Sequence, residues 1–141
     1  MTRSEQRLQL LLFRLGQTRF GVLACQIETL RGHDGTGSAR WFHALLGFPE
    51  SPSYRAPTEA LVSRGELSST WIILDATEEL LDIPLEAIKP FPELVEPFSL
   101  RRGLWGILLD NEQLVFIVDL QQMLKLDDIS AMNAGEIANL N

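Results

Sequence analysis

Asp75 closes the apolar run Trp71–Leu74, and Asp119 closes the run Leu114–Val118, so two carboxylates stand at matching places in the chain. Two carboxyl groups in different environments can divide general acid and general base work, as hydrolysis of a glycosidic bond requires. The same placement lets each carboxylate leave the core at a strand end and accept backbone N–H bonds, and this capping reading accounts for both without catalysis. The lone thiol, Cys25, would need an imidazole beside it to act as a nucleophile, and the chain offers His33 and His43. Cys25 lies in an alternating apolar stretch, which predicts a buried and inert sulfur, while His43 falls in an aromatic segment as a surface or boundary residue. Two histidines without a third ligand at metal spacing predict no zinc site.

Glu78, Glu79 and Asp82 cluster, but no glycine-punctuated ligand loop accompanies them, so they read as a solvated strand face rather than a cation cage. Trp41, Trp71 and Trp105 could stack on bases or sugars; all sit within apolar runs and are expected to fill core, with Trp105 near Gly103 and Gly106 reaching a rim. Arg101-Arg102 is a two-residue basic spot in a loop. The stretch Gly32–Gly37 lacks the lysine and the following helix of a phosphate-binding loop. The expectation is a protein without catalytic residues, metal or cofactor.

A chain of 141 residues with 45% hydrophobic composition supports one domain, or two small subdomains that share a core. Its net charge of -7 opposes association with DNA or RNA. The first apolar run is broken by Arg14, Gly16 and Arg19, too short for a signal core or a membrane span, so no membrane insertion is expected. A single cysteine cannot form an internal disulfide, which agrees with a cytoplasmic location.

The pattern predicts a hairpin of Leu8–Leu15 and Phe20–Leu30, the second strand apolar on both faces, then a loop from Arg31 to Arg40. Ser38 is the expected cap of a short helix over Trp41–Phe48, ended by Pro49 and Pro52. Thr58–Arg64 and Ser68–Asp75 read as paired strands around Gly65-Glu66, and Thr77–Ile83 as a further strand before a connector marked by Pro84, Pro90, Pro92 and Pro97. Gly103–Asp110 and Gln113–Val118 form a hairpin around Asn111-Glu112, and Asp119 caps the last helix with Gln122 three residues on. Alternation assigns Leu74, Leu80, Ile83, Ile107, Leu109, Phe116 and Val118 to a core.

Phe13-Arg14-Leu15-Gly16 with Phe20 and Ile27, the segments Trp41–Phe48 and Trp71–Pro92, and Gly106–Leu124 together resemble the CheW-like domain of bacterial chemotaxis coupling proteins. The most specific matches are Leu74-Asp75 with Glu79 and Ile83, the stretch Ile88–Pro92, and Val118-Asp119-Leu120. The resemblance implies a mainly β fold of two small five-stranded barrels of the Src-homology type sharing a core, with two short helices. Residues 1–126 would form this single domain and 127–141 a helical or flexible tail. The implied function is that of a non-enzymatic adaptor that binds a CheA-like histidine kinase, a chemoreceptor, or both. The kinase contact would fall at Ile27, Thr29 and Leu30, and receptor contacts in the groove between the barrels. Thr29 stands where the family usually carries glutamate, and the family's strand ending in Arg-Gly is absent. The first barrel should therefore be incomplete, its open edge covered by a loop, by the tail, or by a second chain as a homodimer. The alternative from the residues alone is a stand-alone barrel that binds a small ligand.

Overall fold

The computed structural model describes residues 6–35, 37–48, 52–65, 68–93 and 102–139, the side chains of 130 and 132–139 excepted. Strands β1 (Arg7–Leu15) and β2 (Thr18–Leu23) form the expected hairpin, with Gly16 taking a φ of 62° in the turn. The strand expected to continue to Leu30 is instead broken by a single 3-10 turn, Ala24–Gln26, and β3 (Ile27–Gly32) departs into another sheet. The cause is Gln26. Its buried carboxamide donates to Asp119 Oδ1 at 2.8 Å and accepts the Leu120 N–H at 2.9 Å, which ties the bend to the start of the last helix.

The chain continues through β4 (Arg40–Trp41), α1 (Phe42–Leu45), β5 (Pro57–Ser63), β6 (Ser69–Asp75), β7 (Leu80–Pro84), β8 (Leu104–Asp110), β9 (Gln113–Val118) and α2 (Leu120–Asn139). Trp41 rather than Ser38 is the N-cap of α1, and no side chain caps it. Strand β7 begins at Leu80, three residues later than expected. Helix α2, with 20 residues, is longer than either helix expected and runs through the segment read as a tail.

The strands form two sheets. One has the order β7-β1-β2-β9-β8, antiparallel except for β2 against β9. After β7 the chain makes a 3-10 turn, Leu85–Ala87, and Lys89 exchanges both backbone hydrogen bonds with Ile107 of β8 at 2.8 Å, so this sheet closes on itself. Its interior is filled by Leu10, Leu12, Ile83, Leu108, Val115 and Ile117. Packing there is tight: a Cβ on Gly21 would meet Ile117, Leu12 and Leu10 at 3.2–3.4 Å, and one on Gly106 would meet Ile88 at 2.6 Å and the Lys89 carbonyl at 2.9 Å. Among the described residues the second sheet has four strands, β3-β5-β6-β4, and β4 contributes two residues. The first barrel is thus the incomplete one.

Between the two sheets lies a shared core of Phe13, Phe20, Val22, Phe42, Ala60, Val62, Ile72, Leu74, Val118 and Leu120, closed by Met123 and Leu124 of α2. Of the residues expected inside, Leu74, Ile83 and Val118 are buried, and Phe116 is half-buried against the shared core. Leu80 and Leu109 are not inside; they are 56% and 66% exposed. A bulge between Leu104 and Gly106 resets β8 so that Gly106 and Leu108 face inward, which turns Leu109 out.

Candidate functional site

The two carboxylates that could do chemistry are held apart, each in a structural role. Asp75, 2% exposed, does not leave the core; its carboxylate accepts the N–H of Arg55 at 2.9 and 3.0 Å and that of Ala56 at 2.6 Å. Asp119 accepts the Gln122 N–H at 3.0 Å as the helix cap and holds Gln26. The two carboxylates share no partner, and both accept N–H bonds as the capping reading expected. Cys25 is exposed in the 3-10 turn rather than buried, because the bend at Gln26 carries it out of the alternating strand.

His43, expected near the surface, is buried, and its ring Nδ1 lies 3.0 Å from the Tyr54 hydroxyl, which also accepts the His43 backbone N–H. Burial pushes the His43 pKa down, since it penalises the imidazolium. Burial likewise pushes Tyr54 up to about 12, with the Asp75 charge adding to the rise and the His43 hydrogen bond opposing it. A neutral imidazole facing a protonated phenol is a packed pair, not a base with a substrate. Glu78 is ion-paired with Arg14 and Arg19, and Asp82 with Arg7. Among the described residues, no three acids, histidines or cysteines are grouped to hold a metal ion.

What the structure builds is a surface around β3. The connection from β3 to β4 must cross two strands to reach the far edge of the four-stranded sheet, and it does so over the face opposite the shared core. There, Glu59 of β5 is 1% exposed and receives Arg31 (Nε 3.1 Å, Nη2 2.8 Å) and His33 (Nδ1 2.8 Å). Arg31 also stacks on Trp71 at 3.6 Å, and Trp41 packs edge-on against Tyr54 and His33. Trp41 and Trp71 are therefore half-buried on this outer face rather than in either core, and Trp105 is 41% exposed on the other barrel. Glu59 was not singled out in the sequence. Its signal is a lone acid within an otherwise apolar, alternating strand.

The hydrogen bond from His33 holds the Glu59 carboxyl below the usual carboxylate range, against burial, with Arg31 adding to the lowering. A carboxyl with a lower pKa folded than unfolded stabilises the fold above its unfolded value, and that contribution is lost as pH falls through the folded value. Replacing Glu59 by Gln should therefore flatten the acid limb: between about pH 5 and about pH 3 the variant loses less stability than the wild type in urea titrations. Parallel pH profiles would refute the assignment.

Strand β3 is the edge of its sheet. Glu28 to Gly32 are all exposed, and among the described residues β3 pairs only with β5. Ile27 packs against the shared core, Thr29 is exposed, and Leu30 is 43% exposed although its register partner, Ala60, is buried. The three residues expected to bind a partner thus lie on one edge strand. Among the described residues, the hydrogen bonds and ion pairs that α2 makes to the rest of the chain include those to Gln26, Ser63, Arg64 and Arg40, and none falls on β3. No helix among the described residues is long and apolar enough to cross a membrane.

No family model matches the sequence, and no curated protein matches it. Among solved structures, the scaffolding protein TtCheW from Thermoanaerobacter tengcongensis superposes with a TM-score of 0.66 at 13% identity, covering 87% of this chain and 91% of that one. With two curled sheets around a shared core and an edge strand left open, the chain has the fold of a CheW scaffolding protein.

Proposed function

We propose that this chain is a non-enzymatic adaptor of a chemotaxis-like signalling system, working in the cytoplasm, and that it docks the regulatory domain of a histidine kinase on the β3 edge. The observation that carries the reading is the exposed edge itself, with Ile27 anchored in the core and Thr29 and Leu30 presented outward. An extended edge offers main-chain hydrogen bonds for affinity and alternate side chains for choice of partner. The fold of a scaffolding protein supports it, as does the use of Asp75, Asp119, Glu78 and Asp82 in internal bonding. The filled interior of the closed barrel speaks against the ligand-binding alternative, since not even a methyl group fits beside Gly106 without displacing backbone.

Leu30→Arg should weaken capture of the kinase regulatory domain by about tenfold or more, roughly 1.4 kcal/mol, in a calorimetric titration. Because Leu30 is already partly exposed, the melting temperature should stay close to the wild type. Unchanged binding would place the docking site elsewhere.

A further inference from the structure

We propose that a second copy of this chain occupies the β3 edge, pairing antiparallel across a two-fold axis at Leu30. The inference rests on the reading of β3 as a docking edge and names one occupant of it. The ladder shows which backbone groups face outward. The His33 N–H donates to the Pro57 carbonyl at 3.4 Å, one step beyond the Gly32–Thr58 pair. Bonded and non-bonded pairs alternate in an antiparallel ladder, so Thr29 and Arg31 direct their N–H and C=O groups at β5 while Leu30 and Gly32 direct theirs away from the sheet.

Edge strands are commonly guarded by proline, lysine or another charge held at the edge. Ile27–Gly32 contains no proline or lysine, and its one basic residue, Arg31, is folded back onto Glu59 and Trp71. A bulge at Glu28 twists only the start of the strand, and that carboxylate turns to the Ser69 hydroxyl. The remaining segment, Thr29–Gly32, is a regular, exposed template.

Symmetric pairing must be centred on a residue, because paired side chains share a face. Centring on Arg31 sets two guanidinium groups opposite each other. Centring on Thr29 sets Leu30 against Glu28 of the other copy. Centring on Leu30 buries the exposed leucine against its own copy, lets the two Leu30 residues exchange N–H and C=O, and sets Thr29, with Glu28 beside it, against Arg31. The last arrangement satisfies the outward hydrogen bonds and sets no like charges opposite each other, and it occupies the surface a kinase domain would use.

Sedimentation equilibrium on the full chain should give twice the 15.9 kDa chain mass. Leu30→Pro removes an outward donor and no β3–β5 bond, so it should raise the dimer dissociation constant by at least about tenfold while circular dichroism stays unchanged. In a Cys25→Ser background, Leu30→Cys should cross-link under mild oxidant, because bonded antiparallel pairs stand about 5.5 Å apart between Cα atoms. Thr29→Cys, offset from its own copy along the strand, should cross-link far less. A monomeric wild type, or a dimer in which Leu30→Cys and Thr29→Cys cross-link equally, overturns the proposal. Either result leaves the adaptor reading standing, since that reading is tested by the separate titration of the kinase domain.

Discussion

Phe13→Ala is expected to cost about 3–5 kcal/mol of folding stability, a large share of the roughly 5–15 kcal/mol that a domain possesses. Phe13 of β1 is fully buried where the two sheets meet. Its ring stacks 5.4 Å from Phe20 of β2 and meets Phe42 of α1 edge-on at 4.8 Å, while Phe20 and Phe42 close the triangle at 5.0 Å. Truncation leaves a void bordered by two rings and by residues from both sheets, and none of these can collapse into it without breaking strand pairing. The melting temperature should fall by roughly 10–20 °C. The contrast is Leu109→Ala, a residue 66% exposed, for which a change within about 0.5 kcal/mol is expected. Phe116→Ala should lie between them, since that ring is only half-buried. Urea unfolding followed by tryptophan fluorescence ranks the three; a Phe13→Ala cost below that of Phe116→Ala would show that the shared core does not join the sheets.

Local grammar in the sequence was enough where local chemistry decides the backbone. Asn111 and Glu112 both adopt positive φ, 48° and 64°, as a two-residue hairpin turn demands, and the strands on either side fall where alternation placed them. Asp119 likewise caps α2 through Gln122, three residues on. The failures share a different cause. The turn at Ala24–Gln26 depends on Gln26 reaching residues more than 90 positions away, and no short-range pattern reports that. The inward face of β8 is set at Gly106, where Ile88 and the Lys89 carbonyl leave no room for a side chain, so period-two counting from Leu109 starts on the wrong face. Cys25 was misplaced by the first of these and Leu109 by the second.

The exposed edge strand was legible for another reason. Ile27, Thr29 and Leu30 came from the family resemblance, and the missing Arg-Gly hairpin predicted a short sheet; β3 is the edge that this sheet leaves open. The Arg31–Glu59–His33 cluster was not legible, because it forms only when the crossover to β4 lays His33 over β5.

Asp75→Ala is expected to cost about 2–4 kcal/mol, far more than loss of an exposed acid, because two backbone donors lose one buried, charged acceptor together. Asp75 ends β6 at 2% exposure and accepts from Arg55 and Ala56, the residues that lead the chain into β5. Pro57 is the register partner of Asp75, so these bonds fix where β5 begins against β6. Downstream of that start, β5 carries Glu59 and supports β3, so the carboxylate positions the β3 edge strand through two intervening ladders. Asp75→Asn should cost less than Asp75→Ala, since Oδ1 alone accepts from both residues and an amide oxygen can take its place, although the amide NH2 would then face the Arg55 N–H. Chemical denaturation orders wild type, Asp75→Asn and Asp75→Ala from most to least stable. Hydrogen exchange should show protection lost first at the start of β5 in the alanine variant. Equal stabilities for the two variants would mean that the acceptor geometry is irrelevant and that Asp75 acts only as packed volume.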